Sequence, residues 1–226
     1  MPKTIHLFLK RKSRVGECVY RSEAASVSGF VQQLAVSYVR NGYWFYVVCK
    51  IPRTKEPGKI DRKLIERYEI GLPRTTVWRR KKEGKANVQY LRYRNTFVLI
   101  ATKGEHRFFE EEAGIKDIRR VPLRIFGYSI GYRKGADGRY HASVRIEDQE
   151  WKKHKVELLK DWRHACPRKL GERFNKLPFE PYAPVRSQVF GIFRAINRRR
   201  KVAGLEEVPF SSLRMQRKPV KPFVHH

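Results

Sequence analysis

Apolar positions recur along the chain at two spacings, and each change of spacing marks a new element. Val27, Phe30, Val31, Leu34 and Tyr38 fall at helical spacing, which predicts a helix from Ser22 or Ser28, either of which can cap it, to Arg40. Asn41-Gly42 supplies its stop. The run Tyr43 to Ile51 follows at once, and its aromatic and β-branched residues predict a central strand buried on both faces. Pro52 to Gly58 break the chain, Asp61 then caps a helix carrying Leu64, Ile65 and Tyr68, and Gly71-Leu72-Pro73 turns it. Arg74 to Glu83 reads as helical again, Asn87 to Thr102 as extended, and Glu105 to Ala113 as a short acidic helix closed by Gly114. Ile5 to Leu9 reads as a short strand ahead of all of these.

The clearest β pattern runs from Val121 to Ile146, where two alternating segments flank Lys134-Gly135-Ala136-Asp137-Gly138 and predict a hairpin. Helices follow at Asp148 to Arg163 and Pro167 to Leu177, then a proline-punctuated connector to Pro184. Val185, Val189, Ile192, Phe193 and Ile196 mark one face of a last helix, Arg186 to Ala203. Pro209, Pro219 and Pro222 make the final segment an extended arm. The fold class expected is α+β, a mixed or antiparallel sheet with packed helices and a basic helical C-terminal part. Its division is a core over 1–148, holding segment 61–84 and the hairpin 121–146, and a helical region with an arm over 149–226.

Composition adds a partner to this picture. The 226 residues are 41% hydrophobic, enough for a core, yet 51 Lys and Arg stand against 22 Asp and Glu, a formal net charge of +29. A compact body with that charge calls for a polyanion whose phosphates cancel it, so DNA or RNA is the expected partner, with protein partners in a nucleoprotein complex and no membrane. The basic residues are spread over the whole chain, from Lys10-Arg11-Lys12 to Arg217-Lys218, as in a folded body that touches its partner widely rather than in a charged tail. No apolar run spans a bilayer, and the N-terminal one is too short for a signal peptide, which places the protein in the cytoplasm, associated with the nucleoid or a ribonucleoprotein. Cys18, Cys49 and Cys166 are too few and too far apart for a disulfide framework or a cysteine zinc finger. No P-loop and no dinucleotide-binding glycine pattern is present, and no cofactor is evident. His225-His226 carry no weight, since such a pair also ends expression tags.

Segment 61–84 resembles a helix-turn-helix element. Leu64, Ile65 and Ile70 pack its first helix, Gly71 supplies the turn, and Arg74-Thr75-Thr76-Val77-Trp78-Arg79-Arg80-Lys81-Lys82 stands where such motifs carry their recognition helix, with Val77 facing inward. The resemblance implies that Thr75 and Thr76 reach base edges while Arg74, Arg79, Arg80, Lys81 and Lys82 hold phosphates. Arg67 departs from the pattern, because such motifs place a small residue four before the turn glycine. The alternative is a solvated basic helical hairpin or an RNA-contacting element.

Three further groups carry candidate chemistry. If Tyr132 pairs with Tyr140, one hairpin face holds Phe126, Tyr128, Ile130 and Tyr132 for the core, and the other sets Arg139, His141, Ser143 and Arg145 beside Gly127, Ser129 and Gly131. A sugar-phosphate backbone could then approach closely, with His141 and Arg139 binding or activating a phosphodiester; the alternative is that the glycines merely admit a packed helix and the polar side chains are solvent-exposed. His106 and Glu110, four apart, share a face if their segment is helical and are candidate ligands for magnesium or manganese in a nuclease. The bland alternative is a solvated acidic face. On the last helix Arg194, Arg198, Arg199 and Lys201 project outward, Arg200 lies nearer the apolar edge, and the arm with Arg214, Arg217, Lys218 and Lys221 forms a clamp that orders on binding. Three readings result. One is a nucleic-acid-binding protein of a mobile element, a plasmid replication or recombination system, or an RNA-guided or other RNA-protein system. The second is a small metal-dependent or histidine-based endonuclease with His141, or His106 and Glu110, as catalytic groups, and the third a structural subunit of a ribonucleoprotein.

Overall fold

The computed structural model describes residues 20–135 and 137–223. The strand expected over Ile5 to Leu9, the Lys10-Arg11-Lys12 cluster, Cys18 and His225-His226 lie outside them. Among the described residues, seven α-helices accompany two antiparallel sheets, an α+β fold. Helix α1, Val27–Gln32, is capped by Ser26, whose Oγ accepts the Gly29 N–H at 3.0 Å. Ser22 lies four residues before this cap and Ser28 inside the helix, and their hydroxyls donate to Asp61 and Glu180. The helix continues as a π turn, Gln33–Tyr38, and a 3-10 turn, Val39–Asn41, and ends at left-handed Gly42 as the sequence predicts.

The first sheet contains β1 (Tyr43–Lys50), β2 (Val88–Tyr93), β3 (Thr96–Thr102) and β4 (Lys116–Asp117) in the order β2-β3-β1-β4. β1 is central only over its first half. β4 pairs with Phe45 and Tyr46 alone, which leaves the rest of that edge uncovered and Val48 exposed. Burial on both faces belongs to β3 instead. Its Val98 and Ile100 enter one hydrophobic cluster, and its Phe97, Leu99 and Ala101 enter the other.

Helix α2, Pro57–Arg67, starts at proline in its first turn, where the missing N–H costs nothing. Asp61 is therefore not a cap. It is buried one turn in, accepting from Arg92 Nε at 2.9 and 3.0 Å and from the Tyr90 hydroxyl, while Arg92 also donates to Glu23 at 2.7 and 3.0 Å. The pairing satisfies a buried acid that would otherwise be strongly unfavourable. Helix α3, Arg74–Lys82, and helix α4, Phe108–Glu111, complete this half.

The second sheet has β5 (Leu123–Ile125), β6 (Tyr128–Lys134) and β7 (Tyr140–Ile146) in chain order. The alternating run before the predicted hairpin is two strands rather than one, folded at Phe126-Gly127, both of which have positive φ (49° and 76°). The hairpin forms as expected, but Tyr132 pairs with Ala142, not Tyr140. A shift of two residues keeps every side chain on its face, and Tyr128, Ile130, Val144 and Ile146 are buried.

Helices α5 (Asp148–Leu159), α6 (Pro167–Asn175) and α7 (Ala183–Val202) cover this sheet. The larger cluster unites α1, one face of the first sheet, the second sheet and these helices; the smaller lies between the other face of the first sheet, α2 and α4. Packing thus runs continuously across the 148/149 boundary. The arm is not a loose clamp: Gln32 on α1 bonds Val220 through both its amide groups, Ala25 N–H donates to Pro222, and Arg217 donates to Gln32 Oε1 at 2.7 Å. Gly29 permits this contact, since a Cβ there would fall 2.9 Å from Pro222 Cα.

Candidate nucleic-acid interface

Helix α7 carries four exposed cations positioned by the burial of its other side. Val185, Ile192, Phe193 and Ile196 fix one side in the core, which turns Arg194, Arg198, Arg199 and Lys201 to solvent as the apolar spacing predicts. The Arg194 guanidinium lies over the Phe190 ring at 4.3 Å and that of Arg199 over Trp162 at 5.9 Å, contacts that orient the charged heads while both residues stay exposed. Arg200 differs from its neighbours. It is 3% exposed and donates to the carbonyls of Trp162, Ala165 and Glu206, which ties the α5–α6 connector and the loop after α7 to the helix. The Gln188 amide bonds both the N–H and the C=O of Ile146, closing part of the free edge of β7 with α7.

Helix α3 is held differently. None of its residues is buried; Val77 and Thr76 are half-covered, and Arg74, Thr75, Arg79, Lys81 and Lys82 are exposed. Polar ties secure it: an ion pair of Arg80 with Glu69, a bond from Lys81 to the Asn41 carbonyl at 3.3 Å, and one from the Asn87 amide to the Val77 carbonyl at 3.2 Å. The Glu69 carboxyl is held below its usual range by the Arg80 hydrogen bond. The connector Tyr68–Pro73 is longer than the roughly three- or four-residue turn of a compact helix-turn-helix, and α2 spends its apolar side on the sheet rather than on α3. Arg67, the residue that departs from that motif, reaches Glu111 at 2.8 Å. Segment 61–84 is two helices around a glycine turn without the shared core of that motif.

The hairpin face is partly as expected. His141, Arg145 and Arg139 are exposed, and His141 Nε2 lies 2.8 Å from Asp137 Oδ2. That bond holds the Asp137 carboxyl below its usual range. The glycines do not open the surface, however. Gly127 lies in the β5–β6 turn, where a Cβ would meet Phe179 at 3.2 Å, and Gly131 is buried beside Pro122.

The acidic segment is mostly structural. Glu105 is held extended by bonds with Gly84 and Ala86, so α4 cannot begin until Phe108, and His106 lies before it. His106 Nδ1 accepts the Phe108 N–H at 3.1 Å, and burial, then the nearby Arg80 charge, lowers its pKa. His106 and Glu110 therefore do not share a helix face, and His106 borders Tyr68 in the smaller cluster whereas His141 stands on the second sheet. Glu111 and Glu112 serve Arg67 and the Tyr68 hydroxyl. Among the described residues no three His, Cys, Asp or Glu side chains form a group able to hold a metal ion. Lys218 is exposed, and Arg217 is partly covered against Gln32 and the Tyr182 ring.

No family model and no curated protein matches the chain. No described helix is long and apolar enough to cross a membrane. One feature escaped the sequence pattern: a cleft of about 500 Å³ where the two sheets meet, lined by Arg119, Arg120, Arg133, Lys134, Tyr132 and Tyr140 among others. The Arg119-Arg120 pair and the aromatic residues are visible in the sequence, but their convergence depends on how β4 leads into β5.

Proposed function

We propose that the protein binds nucleic acid, gripping the phosphate backbone of a polynucleotide at several points. The observation that carries this reading is α7, where Arg194, Arg198, Arg199 and Lys201 project to solvent from a helix whose other side is fixed in the core. Cations held at fixed spacing lose less freedom on meeting phosphates than cations on a tail, and each phosphate neutralised releases counterions. Exposed cations on α3 and the hairpin add further points of contact, and the net charge of +29 supplies the long-range attraction. The settings that suit such a protein are a mobile element, plasmid replication or recombination, or an RNA-guided or other ribonucleoprotein of the cytoplasm or nucleoid. Titration of duplex DNA, single-stranded DNA and structured RNA at several salt concentrations tests the reading. Affinity should fall steeply and log-linearly with salt for at least one polymer. A flat salt response, or no binding at 50 mM salt, refutes it.

A second reading, a histidine-based phosphodiesterase, draws on the His141–Asp137 pair at 2.8 Å, in which the carboxylate orients the ring and leaves Nδ1 to a substrate. Incubation of the same polymers with magnesium or manganese, comparing His141→Ala and Glu110→Ala with the unaltered protein, tests it. Cleavage that survives His141→Ala, or none at all, removes this reading.

A further inference from the structure

We infer that the cleft between the two sheets takes an unstacked base of a single strand, with Tyr140 as the stacking platform and Arg120, Arg133 and Lys134 on the flanking phosphates. The inference rests on the nucleic-acid reading above and names the form of polymer bound at this place.

The cleft is built by the chain's passage from one sheet to the other. Ile118 N–H bonds the Trp44 carbonyl at 2.8 Å, closing β4 onto β1, and the chain then crosses over Arg119–Pro122 into β5. The Tyr46 hydroxyl donates from beneath to the carbonyls of Val121 and Pro122, at 3.0 and 3.2 Å, which fixes the crossing segment as one wall. The ends of β6 and β7 supply the other.

Aromatic rings follow one another from β1 to that wall. Arg119 lies 4.3 Å over the Trp44 ring, Trp44 packs against Tyr132 with centroids 5.5 Å apart, and Tyr132 stacks on Tyr140 at 5.8 Å with 22° between planes. Each inner ring has neighbours on its sides. Tyr140 ends the series and is 59% exposed, although its orientation is set by Tyr132. A planar apolar face held in place at the mouth of a cleft binds another planar ring with little loss of freedom.

The charges beside it are of one sign. Arg119 is committed to Asp117 through both carboxylate oxygens, and Asp137 to His141, whereas Arg120, Arg133 and Lys134 enter no ion pair among the described residues. Lys134 is the cross-strand partner of Tyr140 and shares its face, which sets a cation directly opposite the ring, while Arg133, the partner of His141, lines the cleft from the other face beside Gly131. An aromatic platform bordered by free cations matches the two faces of a nucleotide unit, its base and its phosphate. The interior of a duplex cannot use it, because both faces of an internal paired base are already stacked.

Fluorescence anisotropy with a labelled ten-nucleotide RNA, the same sequence as DNA, and the corresponding DNA duplex tests this on the full chain. Tyr140→Ala should weaken both single strands roughly 5- to 150-fold, leave the duplex within about twofold, and leave the salt slope unchanged. Tyr140→Phe, which keeps the ring, should bind as the unaltered protein does. Equal losses on single strand and duplex, no loss with Tyr140→Ala, or an equal loss with Tyr140→Phe would overturn the stacking platform while leaving backbone binding intact. Which single strand is bound more tightly decides between RNA and DNA. If the unaltered protein binds none of the three at low salt, the broader nucleic-acid reading fails and this one with it.

Discussion

Helices α3 and α7 are both strongly basic, but they are anchored in opposite ways. α7 buries Val185, Ile192, Phe193, Ile196, Asn197 and Arg200, whereas α3 buries nothing and hangs on three polar ties, from Arg80, Lys81 and Val77. A helix fixed by apolar burial opens only with the core, while one fixed by a partly exposed ion pair and two hydrogen bonds can open locally at little cost. The same cation chemistry is therefore presented on a rigid rail in one place and on an adjustable element in the other.

The largest expected effect separates Arg200 from its neighbours on α7. Arg200→Ala should cost about 2–4 kcal/mol in chemical denaturation, since it leaves the carbonyls of Trp162, Ala165 and Glu206 without their buried donor. A loss below about 0.5 kcal/mol would mean that α7 is not the structural rail described. Replacing Arg198, Arg199 and Lys201 together by Ala should do the reverse. Stability changes little, Ala being a strong helix former, while the log–log salt slope of binding falls by roughly 2 to 3. On α3, Arg74→Ala distinguishes a reader from a grip. As a phosphate contact it should reduce the slope by roughly 1 on any sequence, and a larger loss on a preferred sequence than on a random one would restore base recognition to this helix.

Much of this contrast is legible in the residues themselves, and the remainder fails for identifiable reasons. The apolar stripe of α7, the Asn41-Gly42 stop and the hairpin 121–146 follow from local periodicity and turn chemistry, and they appear where that pattern puts them. What local pattern cannot supply is a distant partner. Asp61 reads as a helix cap until Arg92 claims it from another element, and Glu105 reads as helical until the strand-like contact with residues 84–86 straightens it. Phe126 gives no turn signal because a bulky residue rarely takes positive φ. Arg200 is indistinguishable by type from Arg198 and Arg199, and only the convergence of three carbonyls buries it. For the site, the basic residues of α3, the hairpin and α7 were accessible from sequence. The Tyr132–Tyr140 cleft was not, since it forms where two sheets meet.

The smallest expected effect is also the one that isolates the tether of α3. Glu69 titrates below its ordinary value of 4.5 because it accepts from Arg80, so the unfolded or detached state takes up the proton more readily than the tethered one. The tie is fully present above about pH 4.5 and is lost as pH falls through the lowered value. His106 acts in the same direction, since burial lowers its pKa and acid favours any opening that hydrates its ring. Both groups are near α3, whereas none of the buried residues on α7 is an acid or a histidine. Amide exchange, corrected for its intrinsic pH dependence, should therefore show α3 losing protection between pH 6 and pH 3 while α7 keeps its own. The partly exposed Glu69 limits the energy involved to a few tenths of a kcal/mol. Glu69→Gln should bring the α3 amides at pH 6 close to their acid behaviour without moving α7. If both helices lost protection together in that variant, the two would belong to a single cooperative unit, and the distinction between a rigid and an adjustable basic helix would not stand.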